Sequence, residues 1–502
     1  MSEFKPRWAL ALCLASLVLW LAFEGYTHNA LEDALITYRY AENWSQGQGY
    51  AFTPNVWVQG TTTPLFTMLL ALVGLILGPE QIWPASDVIN LILGGGCAYL
   101  TAQLIWRLSG SVNAAYASIP LLLCAPTLLW SGTGGMETTL VLFWMALSAV
   151  LFMRKQFEWT AVVAALLVLT RIDGLIWAGL LFLAVLKENP KRAWLGAAAA
   201  AAIVLAWFAW AWSVFGMPLP HSVLAKSVIR PLKLQVPIWD LTHTLKWAKG
   251  ALIQWSAVSA GVPIGLLAFG YGAYRLFKAR TPFSFVLLAY VLVFPFLFYI
   301  RKAPYFAWYL VPLYWAGLVV GVYGLFTLYP RMQRPLLNIG LGGILLLCFG
   351  WRIYPKFQEF RMLQENEDSL RRGVGLWLEA NTPPNARVAM EAIGYQGYFS
   401  NRAIVDIAGL ISPEVLALVE EPYRGGVVMR RILHDLKPDY LVLRAVEVEE
   451  NQHFHGGPLF PEAPDKVYFE QYYTLEESFE ARHKSFWGKN AVLNIYKRQI
   501  LQ

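Results

Sequence analysis

Charge is scarce in this chain. Of its 502 residues only 15% are charged, against 57% that are hydrophobic, whereas soluble domains carry roughly a quarter charged residues. That shortage excludes an ordinary soluble protein, and the mean hydropathy of +0.44 points to a polytopic membrane protein. Cysteine is scarce as well. The four present (Cys13, Cys97, Cys124 and Cys348) all lie inside apolar runs, with no CxxC pair and no Cys/His spacing, which excludes a disulfide framework and a metal centre of that type. No GxGxxG or Walker A pattern occurs, so no nucleotide cofactor is implied, and the lack of GxSxG and HExxH weakens a hydrolase reading. The net charge of +7 and pI near 9.0 do not imply nucleic acid. Lys and Arg occur in short clusters between apolar runs, as cytoplasmic loops require, and the 22 tryptophans fit interfacial belts.

What the chain has in quantity is apolar sequence. The first run, Trp8 to Phe23, follows Lys5 and Arg7 and has no convincing cleavage site after it, so it reads as an uncleaved helix with a cytoplasmic N-terminus. Spanning runs are predicted at 8–24, 86–107, 112–130, 136–153, 158–172, 173–187, 192–215, 251–278, 282–300, 305–328 and 335–353. A further run, 61–78, decides the topology. If it spans, the loops with Arg154/Lys155, Lys187/Lys191/Arg192, Lys278/Arg280 and Arg331/Arg334 all face outward, against the positive-inside rule. If it lies on the outer surface, all four face the cytoplasm. The expected architecture is therefore about eleven transmembrane helices in 1–354, with juxtamembrane helices in the first outer loop. Residues 355–502 follow outside as a soluble α/β domain, in which "ARVAMEAIG", "RAIVDIAG", "DYLVLR" and "AVLNIYK" read as strands and "SLRRGVGLWLEAN" and "SPEVLALVEE" as helices. The Ala-rich run 197–202 and Gly94–Gly96 read as close helix-packing faces.

The outer segments of this topology hold the candidate chemistry. Glu32 and Asp33 open a helical stretch ending at Gly47/Gly49, and Asn29 stands three residues before Glu32, as in a capping box. Glu32 then has a structural occupation, which leaves Asp33 as the better general base toward a hydroxyl. Helical spacing aligns Asp33 with Thr37 and Tyr40, and Glu32 with Arg39. "SGTGGMETT" places Glu137 on the same side, and "LTRIDG" sets Arg171 and Asp173 two residues apart, where a local turn ion pair is the plainer reading. "MPLPHSVLAKS" adds His221 and Lys226, and "RKAPYFAWY" adds Arg301, Lys302 and Tyr309. A basic pair on the outer face runs against positive-inside, and binding an anionic headgroup explains it.

The order of these segments, from "ITYRYAENWSQGQGYAFTPNVWVQGTTTPLF" through "SGTGGMETTL", "LTRIDG", "MPLPHSVLAK" and "WYLVPLY" to "WLEANTPPNARVAMEAIGYQGYFSNRAIVDIAGL", resembles the GT-C membrane glycosyltransferases. The nearest subgroup is the terminal arabinofuranosyltransferase-like and aminoarabinose-transferase-like branch. The resemblance covers most of the chain. It implies transfer of one sugar from a polyprenyl-phosphate donor to a hydroxyl of an envelope glycan, lipid or protein at the outer face of a bacterial-type inner membrane. It puts the first-loop acid at Asp33 with Glu32 beside it, a second acid at Glu137, and phosphate contacts at Arg301 or Lys302. Arg39, Arg171, Asp173, His221, Lys226 and Tyr309 join these as expected substrate contacts, and Asp33 with Glu137 as expected ligands of a divalent Mg or Mn ion. Three departures stand out: Glu32 stands where an Asp is more typical, Gln59 replaces an acid before Gly60, and His221 replaces an Asn. A lipid-linked glycan transporter and a non-catalytic glycan-binding scaffold are the rival readings. The first predicts polar residues at mid-membrane depth and inverted repeats, and the sequence shows few and none respectively.

Overall fold

The computed structural model describes residues 3–229, 262–300, 306–328, 354–420, 423–452 and 457–499. Helix α1 (Pro6–Thr27) starts on a proline at its first turn, where no intrahelical N–H is needed. Its buried stripe of Ala9, Cys13, Ser16, Trp20 and Phe23 keeps the three-and-four spacing of one helix face. Leu10, Leu14, Val18 and Leu21 are exposed on the opposite side, as a lipid-facing surface would be. Trp20 packs against Gly94 and Gly132, where any Cβ would collide with the indole. The expected packing role of the glycine run thus holds at Gly94, and Gly96 meets Phe143 in the same way.

Helix α2 (Glu32–Ser45) and helix α3 (Pro64–Leu77) pack together after the first turn of chain. With 14 residues, α3 reaches ~21 Å, short of the ~30 Å hydrocarbon core. Helix α4 (Ile82–Ser109) follows, then α5 (Val112–Leu123) and α6 (Pro126–Thr133), then α7 (Thr138–Met153). The predicted single span 112–130 is in fact the α5–α6 pair, bent by 56°. Pro120 lies inside α5 and Pro126 starts α6, and two prolines that close together break the hydrogen-bond ladder. Helices α8 (Phe157–Thr170) and α9 (Gly174–Glu188) are joined only by Arg171, Ile172 and Asp173. Helix α10 (Pro190–Phe215) is capped by the Asn189 side chain on the Arg192 N–H at 3.1 Å. Its packing face is Ala193 and Gly196, while Ala198, Ala199, Ala201 and Ala202 are exposed. Close packing was therefore expected one turn too late. Helix α11 (His221–Ile229) and the helices Val262–Ala279, Pro282–Ile300 and Val311–Leu328 complete the described part of this module.

Among the described residues, four helices are long and apolar enough to cross a membrane, or five if the bent pair counts as one span. The remainder of the apolar helices are shorter, and the expected spans at 335–353 and the start of 251–278 lie outside the described residues.

The C-terminal part holds a five-stranded sheet of order β2-β1-β3-β5-β4. Strands β1 (Arg387–Met390), β2 (Ala403–Asp406) and β3 (Tyr440–Arg444) run parallel, and β5 (Val492–Arg498) pairs antiparallel to both β3 and β4 (Tyr473–Glu480). The four predicted strands all form. The helix Gly373–Asn381 is preceded by a π-helical turn at Asp368–Arg372, and only Pro413–Leu416 of the second predicted helix is regular. Phe357 and Phe360, ahead of the π turn, pack with Phe23 of α1 and Trp130 of α6.

Candidate functional site

The site forms where α2 begins. The expected capping box is absent: the Asn29 amide donates instead to the Trp130 carbonyl at 2.6 Å and the Thr133 hydroxyl at 2.9 Å, and Leu31 is the N-cap residue with no side-chain cap. The Ala30 N–H is taken by Gln364 Oε1 at 3.0 Å and the Leu31 N–H by the Gly134 carbonyl at 3.0 Å. Two distant segments thus fix the entry to α2, and a local cap is unnecessary.

Glu32 does have a structural occupation, with other partners. Its carboxylate accepts from the Gly394 N–H at 2.7 Å and the Tyr395 N–H at 3.1 Å, and lies 3.6 Å from Arg371 Nη1. It therefore caps the short helix Tyr395–Ser400 of the C-terminal domain rather than its own. A Cβ on Gly394 would collide with Glu32, so glycine is required for this approach. Arg371, carried by the π turn, also bonds Glu367 at 3.0 Å and lies over the Trp487 ring at 4.6 Å. Arg39 is buried and spent in the same seam, donating to the Phe52 carbonyl at 3.3 Å and to Asn401 Oδ1 at 2.7 Å.

Asp33, one residue on, is different. It is half-buried, and among the described residues its carboxylate makes no hydrogen bond or ion pair. Burial lifts its carboxyl above the usual carboxylate range, opposed by the cations of Lys226 on α11 and Arg371. Its charge is felt by Glu137 and by Tyr309. Glu137 is buried at the N-cap of α7, 3.7 Å from Arg171 Nε. Arg171 grips Asp173 with two bonds of 3.1 and 2.6 Å and stacks on the Tyr309 ring at 4.9 Å. Its Nη1 is buried with no hydrogen-bond partner, so the guanidinium keeps one donor for a ligand.

The predicted residues Asp33, Glu137, Arg171, Asp173, Lys226 and Tyr309 are thus brought into one electrostatic neighbourhood. Glu32 and Arg39 border it but are engaged with the C-terminal domain. His221 opens α11, and its backbone N–H donates to the Gln59 carbonyl at 2.7 Å. Arg301 and Lys302 lie outside the described residues. Arg371 was not foreseen, because no local pattern ties a tail arginine to the first loop. For a divalent ion the donor set is thin. Asp33 and Glu137 supply two carboxylates, Arg171 engages one of them, and among the described residues no group of three or more His, Cys, Asp or Glu could hold a metal together.

Residues 358–496 match a family described as a domain of unknown function, DUF8728. No curated protein sequence matches the chain. Among solved structures, the Archaeoglobus fulgidus oligosaccharyltransferase tethered to an acceptor peptide is similar at a TM-score of 0.60 and 14% identity, over 89% of this chain and 70% of that one. ArnT from Cupriavidus metallidurans in the apo state is similar at 0.58 and 12% identity, over 88% of this chain and 94% of that one. The same ArnT bound to undecaprenyl phosphate is similar at 0.56 and 11% identity, over 97% of each chain. Over most of its length this chain therefore shares the fold of the oligosaccharyltransferase and of ArnT.

Proposed function

We propose that this chain is a glycosyltransferase that moves one sugar from a polyprenyl-phosphate donor to a hydroxyl of an envelope glycan, lipid or protein at the outer face of a bacterial-type inner membrane. The observation that carries the reading is the contrast at 32–33: Glu32 is held by two backbone N–H groups and Arg371, whereas among the described residues the Asp33 carboxylate has no hydrogen bond or ion pair and feels the cations of Lys226 and Arg371. In the reaction the acceptor oxygen attacks the anomeric carbon and Asp33 takes its proton. A new carbon–oxygen bond forms as the bond to the phosphate oxygen breaks, and the electron pair leaves with the lipid phosphate. Arg171, through its free Nη1, and Lys226 stabilise that charge, with Arg301 and Lys302 as further candidates. Glu137 and Asp173 hold the Arg171 guanidinium in place, and Tyr309 stacks beneath it.

An apolar groove of about 320 Å³ between α8, α9 and α10 supports a lipid donor. Ala161, Ala164, Ala178, Gly179, Ala197 and Ala200 line it, and small side chains leave room for an isoprenoid chain. Its outer end, at Val168 and Leu175, flanks Arg171, so a chain in the groove would present its phosphate there. The ArnT neighbour binds undecaprenyl phosphate, which agrees with this class of donor. The test is transfer of radiolabelled sugar from undecaprenyl-phosphate sugars by the purified full chain in nanodiscs, onto envelope material from cells lacking the protein. Turnover by the unmodified protein and its loss in Arg171→Met support the reading. Full turnover by Arg171→Met would remove Arg171 from it.

A further inference from the structure

Three neutral polar side chains near the site are buried and unsatisfied. Gln59 is 1% exposed, and neither its Oε1 nor its Nε2 has a hydrogen-bond partner. His221 Nε2 and Ser222 Oγ are likewise buried without partners, in residues 6% and 3% exposed. An isolated orphan of this kind costs about 1–3 kcal/mol and is rare in native proteins. Here four orphan atoms fall on two adjacent segments, joined where the His221 N–H donates to the Gln59 carbonyl.

A loose loop does not explain them. The Tyr40 hydroxyl donates to the Val58 carbonyl at 2.7 Å and accepts from the Gly60 N–H at 2.8 Å. The backbone on both sides of Gln59 is therefore pinned, and its own carbonyl is taken. Unsatisfied groups held this firmly mark a place where hydrogen-bonding capacity is kept for something else.

The neighbouring chemistry says what that is. Ser222 and Lys226 are four residues apart on α11, so they share one face a turn apart. Ser222 is buried and Lys226 is exposed toward Asp33. The orphan groups are neutral: an amide that both donates and accepts, a hydroxyl, and an imidazole whose burial disfavours its charged form. Such a set suits sugar hydroxyls, which both donate and accept, and brings no positive charge for a second anion. A phosphate held by Lys226 would place the sugar bonded to it ~6 Å further along the helix face, at Ser222 and Gln59.

We infer that Gln59, His221 and Ser222 form the subsite that recognises the hydroxyls of the donor sugar. This rests on the glycosyltransferase reading and adds to it the residues that select the sugar.

The test compares Gln59→Leu and Ser222→Ala with the unmodified full chain in nanodiscs. Affinity is measured for undecaprenyl phosphate and for its glucosyl, mannosyl and arabinosyl forms, and thermal unfolding is followed without ligand. The unmodified chain should bind one sugar-bearing lipid more tightly than the bare lipid. Each variant should lose about tenfold of that preference, one hydrogen bond's worth, and keep its affinity for bare undecaprenyl phosphate. Their unfolding temperatures should stay level or rise, since an apolar replacement removes an orphan. Two results would overturn the subsite: an undiminished preference in stable variants, as expected if ordered water occupies it, or unfolding temperatures that fall as for lost internal bonds. Equal binding of bare and glycosylated lipids would overturn the subsite and leave the lipid donor standing. Binding of none of the four lipids would overturn the donor reading itself, and the subsite with it.

Discussion

Glu32 and Asp33 differ by one position, and each carboxylate meets a different fate because the first turn of α2 points them apart. Glu32 has two backbone N–H donors and a guanidinium from the C-terminal domain, and hydrogen bonds to a charged group contribute more than neutral ones. Glu32→Ala should therefore lower stability by about 2 kcal/mol, read as a fall in the unfolding temperature of the detergent-solubilised chain. Asp33 has no such bonds, so its replacement should leave that temperature unchanged. Its ionisation has a direction too. Burial raises the Asp33 carboxyl, while Lys226 and Arg371 pull it back. A base works only when deprotonated, so turnover falls as pH drops through that raised value. Lys226→Gln removes one opposing cation and should move the acid limb of the pH–rate profile to higher pH. An unmoved limb would separate Lys226 from the base.

The helices and strands show why some elements could be read from sequence and others not. Strands β1, β2 and β3 carry short apolar runs that the sheet buries, and in β5 the buried run Leu493–Tyr496 includes Asn494. Strand β4, "YTLEESFE", was missed: it lies at the sheet edge with most of its residues exposed, so pairing with β5 and not apolarity makes it a strand. The break between α5 and α6 falls at Pro120 and Pro126, where hydropathy alone predicts one span over 112–130. The cap of α2 was misread because Asn29 found partners on α6, about a hundred residues away. The convergence of Asp33, Glu137, Arg171 and Lys226 was partly legible, since all fall in segments assigned to one face by charge. Arg371 and the engagement of Glu32 were not, because they depend on how the C-terminal domain docks. That docking has its own test. Gly394→Ala places a methyl against Glu32 and should cost about 1–3 kcal/mol. Faster proteolytic release of the C-terminal domain would report the loss, and unaltered release would place the contact elsewhere.

At the scale of the whole molecule, the fold holds a membrane module and a domain of unknown function against one helix N-terminus. The charge-derived topology puts that junction outside and α3 on the membrane surface. Glu80, just after α3, and Asn401 of the C-terminal domain are both exposed. Cysteines at either place should react with an impermeant thiol reagent on intact spheroplasts. Protection of the Glu80 site would mean that α3 spans and that everything after it is inverted. One kinetic comparison bears most directly on the Asp33 carboxylate. Asp33→Asn is assayed for sugar transfer in nanodiscs beside the unmodified chain, with donor binding measured on the same samples. Turnover should fall by at least ~10²-fold, within the range a general base supplies, while donor affinity and unfolding temperature stay within error. Near-normal turnover in a stable, donor-binding Asp33→Asn protein would contradict the assignment of Asp33 as the base.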